Sequence, residues 1–369
     1  MKAPSPAREI MPIDRIPDWR KRIERVDACL DRAILDRPVV WCTVWPREQQ
    51  VPWPAPRPWK TVRDRWMDAE WMADRAYAAA MNADYLGDAL PVTHPNLGPE
   101  VFSAFFGAEL EFSEHSSWSV PCLPRWEDAG KLEFSTANPY WKKMEELTGA
   151  LLARGRGVFY TGITDLHPGG DAIAAFRDPE VLAVDMIEAP EKIKAFLVRV
   201  NETYCRVFDH YCARLEAAAQ PISSWHRYVT ARRQYVPSND FSCMISRPMF
   251  DDVFLPGIRE ECRHTGSSVY HLDGPDAIRH LDSLLAIPEL DAIQWVCGAG
   301  KGPVTRWLDL LRRVQDAGKG VQVLDVHPGE LDAVMQALRP EGVWLDLAGV
   351  ATRDEGEALV RRVARWGKR

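Results

Sequence analysis

The chain has 369 residues, 46% hydrophobic and 27% charged, enough apolar material for one large α/β barrel or two ordinary domains. Its net charge of −7, without a basic block, argues against a nucleic-acid partner. No run approaches the ~18 consecutive apolar residues of a membrane span, and residues 1–6 lack the apolar core of a signal peptide, so a cytoplasmic location is expected.

Residues 1–36 read as an N-terminal helical extension. From residue 37 onward, extended apolar runs at 38–44, 83–90, 158–164, 236–245, 267–271, 291–297, 321–325 and 342–347 alternate with amphipathic helical patterns. The helices fall at 61–81, 179–215, 248–263, 303–317, 329–338 and 354–366, several with Pro in the first turn. Eight strand–helix units predict an α/β fold, a single (β/α)8 TIM barrel over residues 37–369, with long loops over the C-terminal mouth. No Gly-x-Gly-x-x-Gly follows the first strand, which argues against a doubly wound sheet and against a nucleotide cofactor.

Three strand ends carry an acid and an imidazole two residues apart: Asp165 and His167, His271 and Asp273, Asp325 and His327. In an extended strand such pairs project to one face. As the ends of strands three, five and seven they would share the barrel mouth, where barrel enzymes keep their catalytic groups. The plainer alternative is that Asp, His, Pro and Gly there only close turns. Asp88 on strand two, Asp240 on strand four and Asp346 on strand eight add carboxylates near the rim, and Trp344 shares a face with Asp346. Asp165, His167, Asp240, Asp325 and His327 are the catalytic candidates. Asp88, His94, Trp295, Trp344 and Arg232 are the candidates for substrate contact.

The stretch 93–140 is too long for a simple crossover and reads as a lid-like insertion, with His94 where it leaves strand two. A second irregular segment, 219–236, holds Trp225, His226, Arg232 and Arg233, whose arginines either clamp an anion or solvate the surface. Of 15 tryptophans, ten precede residue 142, some for the core and some available to wall an apolar or cationic ligand. The eight cysteines are scattered without a Cys-x-x-Cys pair, so they read as reduced thiols rather than a four-cysteine zinc site.

The segments 246–256, 267–275, 291–300 and 341–363, in this order and spacing, resemble the uroporphyrinogen decarboxylase superfamily, which includes zinc-dependent methyltransferases acting on corrinoid proteins. The resemblance spans roughly residues 20–366 and implies a (β/α)8 barrel with its site at the strand C-termini. The decarboxylase branch has an Arg-rich loop after strand one; here that place reads Trp41 to Pro46 with only Arg47 nearby, which disfavours uroporphyrinogen itself. The methyltransferase branch holds zinc with a His-x-Cys pair and a distant Cys. Here the pair is His271 and Asp273, and the last position is Ala348, with Asp346 two residues away. The resemblance thus implies a divalent metal, zinc or another, on His271, Asp273 and Asp346, oxygen ligands leaving its identity open.

The expected function is metal-assisted methyl transfer between a corrinoid-carrying protein or small methyl donor and a small-molecule acceptor. A metal-independent decarboxylase of a small carboxylic acid is the alternative, and a non-catalytic ligand-binding barrel is the third reading. A homo-oligomer is compatible with the sequence.

Overall fold

A computed structural model of the chain describes residues 9–298 and 300–366; residues 1–8, on which the reading of the N-terminus rests, lie outside the described residues. The strands are β1 (Val39–Val44), β2 (Asp84–Gly87), β3 (Val92–Thr93), β4 (Leu110–Phe112), β5 (Ser117–Ser119), β6 (Tyr160–Thr161), β7 (Gln234–Tyr235), β8 (Ser267–Asp273), β9 (Ala292–Val296), β10 (Gly320–Val326) and β11 (Val343–Leu347). Seven of them form one sheet in the order β2-β1-β11-β10-β9-β8-β7, curled into a half-barrel. All its neighbours are parallel except β1 and β2. Parallel strands are covered on both faces, which is why β1 and β11 read as nearly unbroken apolar runs.

Two of the expected strands differ from the structure. The run at 83–90 turns back antiparallel on β1. Gly87 makes this possible: its φ is +67°, and a Cβ there would stand 2.2 Å from the Val40 carbonyl oxygen. The parallel strand is the short β3 that follows, paired with β6 in a separate two-stranded ladder. In the run at 236–245, a regular ladder forms only just before it, at Gln234 and Tyr235; Pro237 follows, Ser238 makes a single parallel bridge to His271, and Asp240–Met244 winds into a 3-10 turn. Hydrogen bonding among the described residues therefore leaves the ladder open on either side of β3 and β6.

The N-terminal helix Trp19–Leu30 covers the end where the parallel strands begin. Its Val26 and Leu30 pack with Val39, Trp41, Val269, Ala292 and Trp344, and the rings of Trp41 and Trp344 stack at 5.7 Å. The same end holds Asp88, buried and ion-paired to Arg25 and Arg37, with the Val40 N–H as a further donor. The stretch 93–140 carries a hairpin of β4 and β5 and is docked rather than loose. Phe102, Phe105 and Phe106 are buried, and the Cys122 and Leu123 N–H groups donate to the Phe176 carbonyl. All eight cysteines are free. Among the described residues no helix is long and apolar enough to cross a membrane.

Candidate functional site

The loop after β6 lies close against the segment beside it. A Cβ on Gly162 would meet the Ser224 nitrogen at 2.9 Å, so only glycine allows the approach. Tyr235 pins the loop next: its hydroxyl donates to the Thr164 carbonyl at 2.6 Å and accepts from the Leu166 N–H at 2.6 Å. Held this way, Asp165 and His167 form an ion pair, carboxylate oxygen to Nε2, at 2.7 Å.

The helix Gly169–Arg177 then places Asp171 in its first turn. Asp171 accepts from the N–H groups of Asp240 and Phe241, at 3.1 and 2.9 Å, and so fixes the 3-10 turn that carries Asp240. From the other side β8 brings His271 and Asp273. The His271 N–H donates to Pro237, which ties β8 to the same segment. Ligand atoms of Asp240, His271 and Asp273 lie within 4.8 Å of one another, as do those of His167, Asp171 and Asp240.

The ring of His271 is oriented from behind. Its Nδ1 donates to Gln294 Oε1 at 2.5 Å, and Gln294 Nε2 donates to Gln322 Oε1 at 3.1 Å. With the proton on Nδ1, Nε2 keeps its lone pair. Trp225 walls the group, its ring 5.2 Å from that of His271 and 5.9 Å from that of His167.

Crowding of carboxylates sets the electrostatics. Asp240 meets solvent at the mouth, but surrounding protein raises its pKa, and Asp171 adds to the effect. Burial raises Asp273 as well, with Asp240 contributing and His271 opposing. Burial works against a charged His167, yet Asp165, Asp171 and Asp240 outweigh it and lift the imidazole to about 10. His94 goes the other way: burial lowers it to about 4 despite Asp165. His226, lowered to about 3 by burial and by His271, is neutral.

The expected site residues divide by place. Asp165, His167, Asp240, His271 and Asp273 come together, and His94 is near Asp165. Asp346 does not join the His271 group. It lies three strands away in the ladder, roughly 14 Å at the usual strand spacing, and Asp240 stands where it was expected. Asp346 lines an adjoining cavity of about 310 Å³ with Trp41, Trp225, Arg227, Gln294 and Gln322. Burial, then Asp325, raises its pKa to about 7.

Asp325 and His327 form no ion pair among the described residues, so that dyad is not assembled. The register of β10 against β11 shifts between Val323 and Val326, and Asp325 takes a φ of 54°, which breaks the alternation that would put both on one face. Both border a second cavity of about 630 Å³ beside Trp295 and Trp307. Asp88 belongs to the opposite end, and Trp344 does not line the 310 Å³ cavity itself but packs against Trp41 and His226, which do. Arg232 is bound to Asp31 and near Asp27, and Arg233 to Glu216 and Asp209, so neither arginine points a free charge at the mouth. Asp171, Gln294, Gln322 and Arg227 were not singled out from the sequence. Only Asp171 left a signal there, its i+4 spacing from His167 across a helix start.

No protein-family model and no curated protein matches the sequence. Among solved structures, the chain is similar to a methyltransferase from Methanosarcina mazei, with a TM-score of 0.60 over 94% of this chain and 98% of that one. The two are 12% identical. What they share is the fold.

Proposed function

We propose that the chain is a metal-assisted methyltransferase, a divergent member of the uroporphyrinogen decarboxylase superfamily whose parallel strands build a (β/α)8 barrel. The observation that carries this reading is the Asp240, His271 and Asp273 group, converging within 4.8 Å at the C-terminal edge of the strands. One imidazole and two carboxylates suit a divalent ion of intermediate or hard character; no cysteine belongs to the group among the described residues. The fit is also electrostatic: burial and a neighbouring carboxylate raise the pKa of both Asp240 and Asp273, and a cation would relieve both.

A divalent ion on these residues would supply the positive charge that favours the anionic, nucleophilic form of an acceptor thiol or hydroxyl. The chain's own residues do the rest. Gln294 and Gln322 fix the His271 tautomer, Asp171 fixes the backbone under Asp240, and Trp225 shields one side from water. His167, kept as imidazolium by Asp165, holds a proton and a positive charge at the mouth. The methyl donor in this reading is a corrinoid-carrying protein or a small methylated molecule.

The charged His167 also favours a second reading, a metal-independent decarboxylase in which it protonates the carbanion left by loss of CO₂. Metal analysis of the protein purified without a histidine tag separates the two. Stoichiometric metal, lost in His271→Ala and in Asp240→Asn with circular dichroism unchanged, is the expected result. A metal-free protein, or metal retained in both variants, would refute the methyl-transfer reading.

A further inference from the structure

The segment 221–230 is a tight excursion into the mouth. Ile222 and Thr230 pair across its base, Ser223 Oγ donates to the Tyr228 carbonyl, and the Arg227 N–H donates to the Ser224 carbonyl. Arg227 sits at the tip with a φ of 61°, a conformation glycine takes freely and arginine does not. Such strain at a cavity wall points to a side chain that is needed where it is. Its guanidinium is exposed and makes no hydrogen bond or ion pair among the described residues, whereas Arg232 and Arg233 are both neutralised.

Arg227 shares the 310 Å³ cavity with Trp41, Trp225, Gln294, Gln322 and Asp346. The volume suits a small molecule. Two of its walls are indole rings, and one of these, Trp225, also touches His271. Gln294 likewise faces the cavity and bonds His271. The cavity therefore adjoins the Asp240, His271 and Asp273 group through two shared residues.

We propose that this cavity binds a small carboxylic acid, its carboxylate on the Arg227 guanidinium, its apolar body against Trp225 and Trp41, and its far end toward His271. The direction of the far end rests on the methyl-transfer reading; the carboxylate site does not. A planar guanidinium matches a carboxylate with two parallel hydrogen bonds. A phosphate dianion fits less well, because Asp346 and, beyond it, Asp325 repel a second negative charge and only one arginine is available. Asp346 tolerates a monoanion below about pH 7, where burial and Asp325 keep it mostly uncharged against the opposing pull of Arg227. A quaternary ammonium would be repelled by Arg227 itself.

The test uses the full chain with benzoate and benzamide, which match in size and differ in charge, and reads tryptophan fluorescence with saturation-transfer NMR. Benzoate should bind about tenfold tighter or more, because a site built to bond an anion rejects the neutral isostere. Arg227→Gln should erase the difference, and Arg227→Lys should keep part of it. Metal content is measured on the same wild-type and Arg227 variant samples, so loss of the metal reading and loss of this one are told apart. Equal binding of the two probes, no benzoate binding in the wild type at tens of millimolar, or discrimination surviving in Arg227→Gln would each overturn the proposal. Unchanged thermal melting in Arg227→Gln certifies that the fold is intact.

Discussion

Gln294 Oε1 stands 2.5 Å from His271 Nδ1, and the Gln294 amide is itself held by Gln322. A ligating histidine is normally held through its other nitrogen in this way, and loss of the holding group costs about 10–100-fold in metal affinity. Gln294→Leu should weaken metal binding by that order, while Gln294→Glu, which still accepts from Nδ1, should not. Competition against a chromophoric chelator measures it. Equal affinity in wild type and Gln294→Leu would mean that the histidine is not a ligand.

The Asp165 and His167 pair makes a prediction about alkaline stability of the metal-free protein. His167 titrates near 10 in the folded chain and at about 6.5 when unfolded. A raised histidine pKa adds stability that is complete below about 6.5 and disappears as pH rises through about 10. Asp165→Asn should therefore cost most at about pH 6.5 and just below, and its deficit against wild type should shrink toward pH 10. Urea melts across that range provide the check, and a deficit that stays constant with pH would contradict the pairing.

Asp88 should matter for stability and not for ligand. It is buried between Arg25 and Arg37 at the end remote from the mouth. Removing one member of a buried ion pair costs about 3–5 kcal/mol, because the remaining charges stay desolvated. Asp88→Ala should shift the urea midpoint accordingly and leave metal stoichiometry unchanged.

Asp325 acts on Asp346 rather than on His327. Burial is the larger cause of the raised Asp346 pKa of about 7, and the Asp325 charge is the next. Asp325→Asn should lower the Asp346 value. A buried carboxyl with a raised pKa loses stability as pH climbs from its unfolded value toward the folded one, so this variant should lose less between about pH 4 and pH 7. Carbon NMR of the Asp346 carboxyl reads the shift directly; no movement would refute the coupling.

What could be read from the chain, and what could not, follows from the range of the interactions. β8 was legible because its apolar alternation is local and its last residues are His271 and Asp273. The run at 83–90 looked like any other strand; its direction depends on the contact of Gly87 with Val40, more than forty positions away. The 236–245 run has strand-like composition, but Asp171 draws its backbone into a turn. Asp325 and His327 have the right spacing, and a bulge misaligns them. Arg227 is one arginine among several in its neighbourhood, and only the carboxylates that occupy Arg232 and Arg233 single it out. Gln294 and Gln322 carry no charge and no motif, so their role is visible only across the ladder from β8 to β10.

The pairing of β1 with β11 joins Val39 to Trp344 and Cys42 to Leu347. During synthesis the first strand therefore waits for nearly the whole polypeptide before its parallel neighbour emerges. Contacts of such long sequence separation slow folding, because the loop entropy must be surrendered before the ladder repays it. In the interval β1 has only the antiparallel β2 beside it, with Gly87 packed close against Val40. That early pairing masks one edge of an apolar strand that would otherwise be free to pair with another nascent chain. The antiparallel strand that interrupts the regular order would then serve as a guard against aggregation on the ribosome.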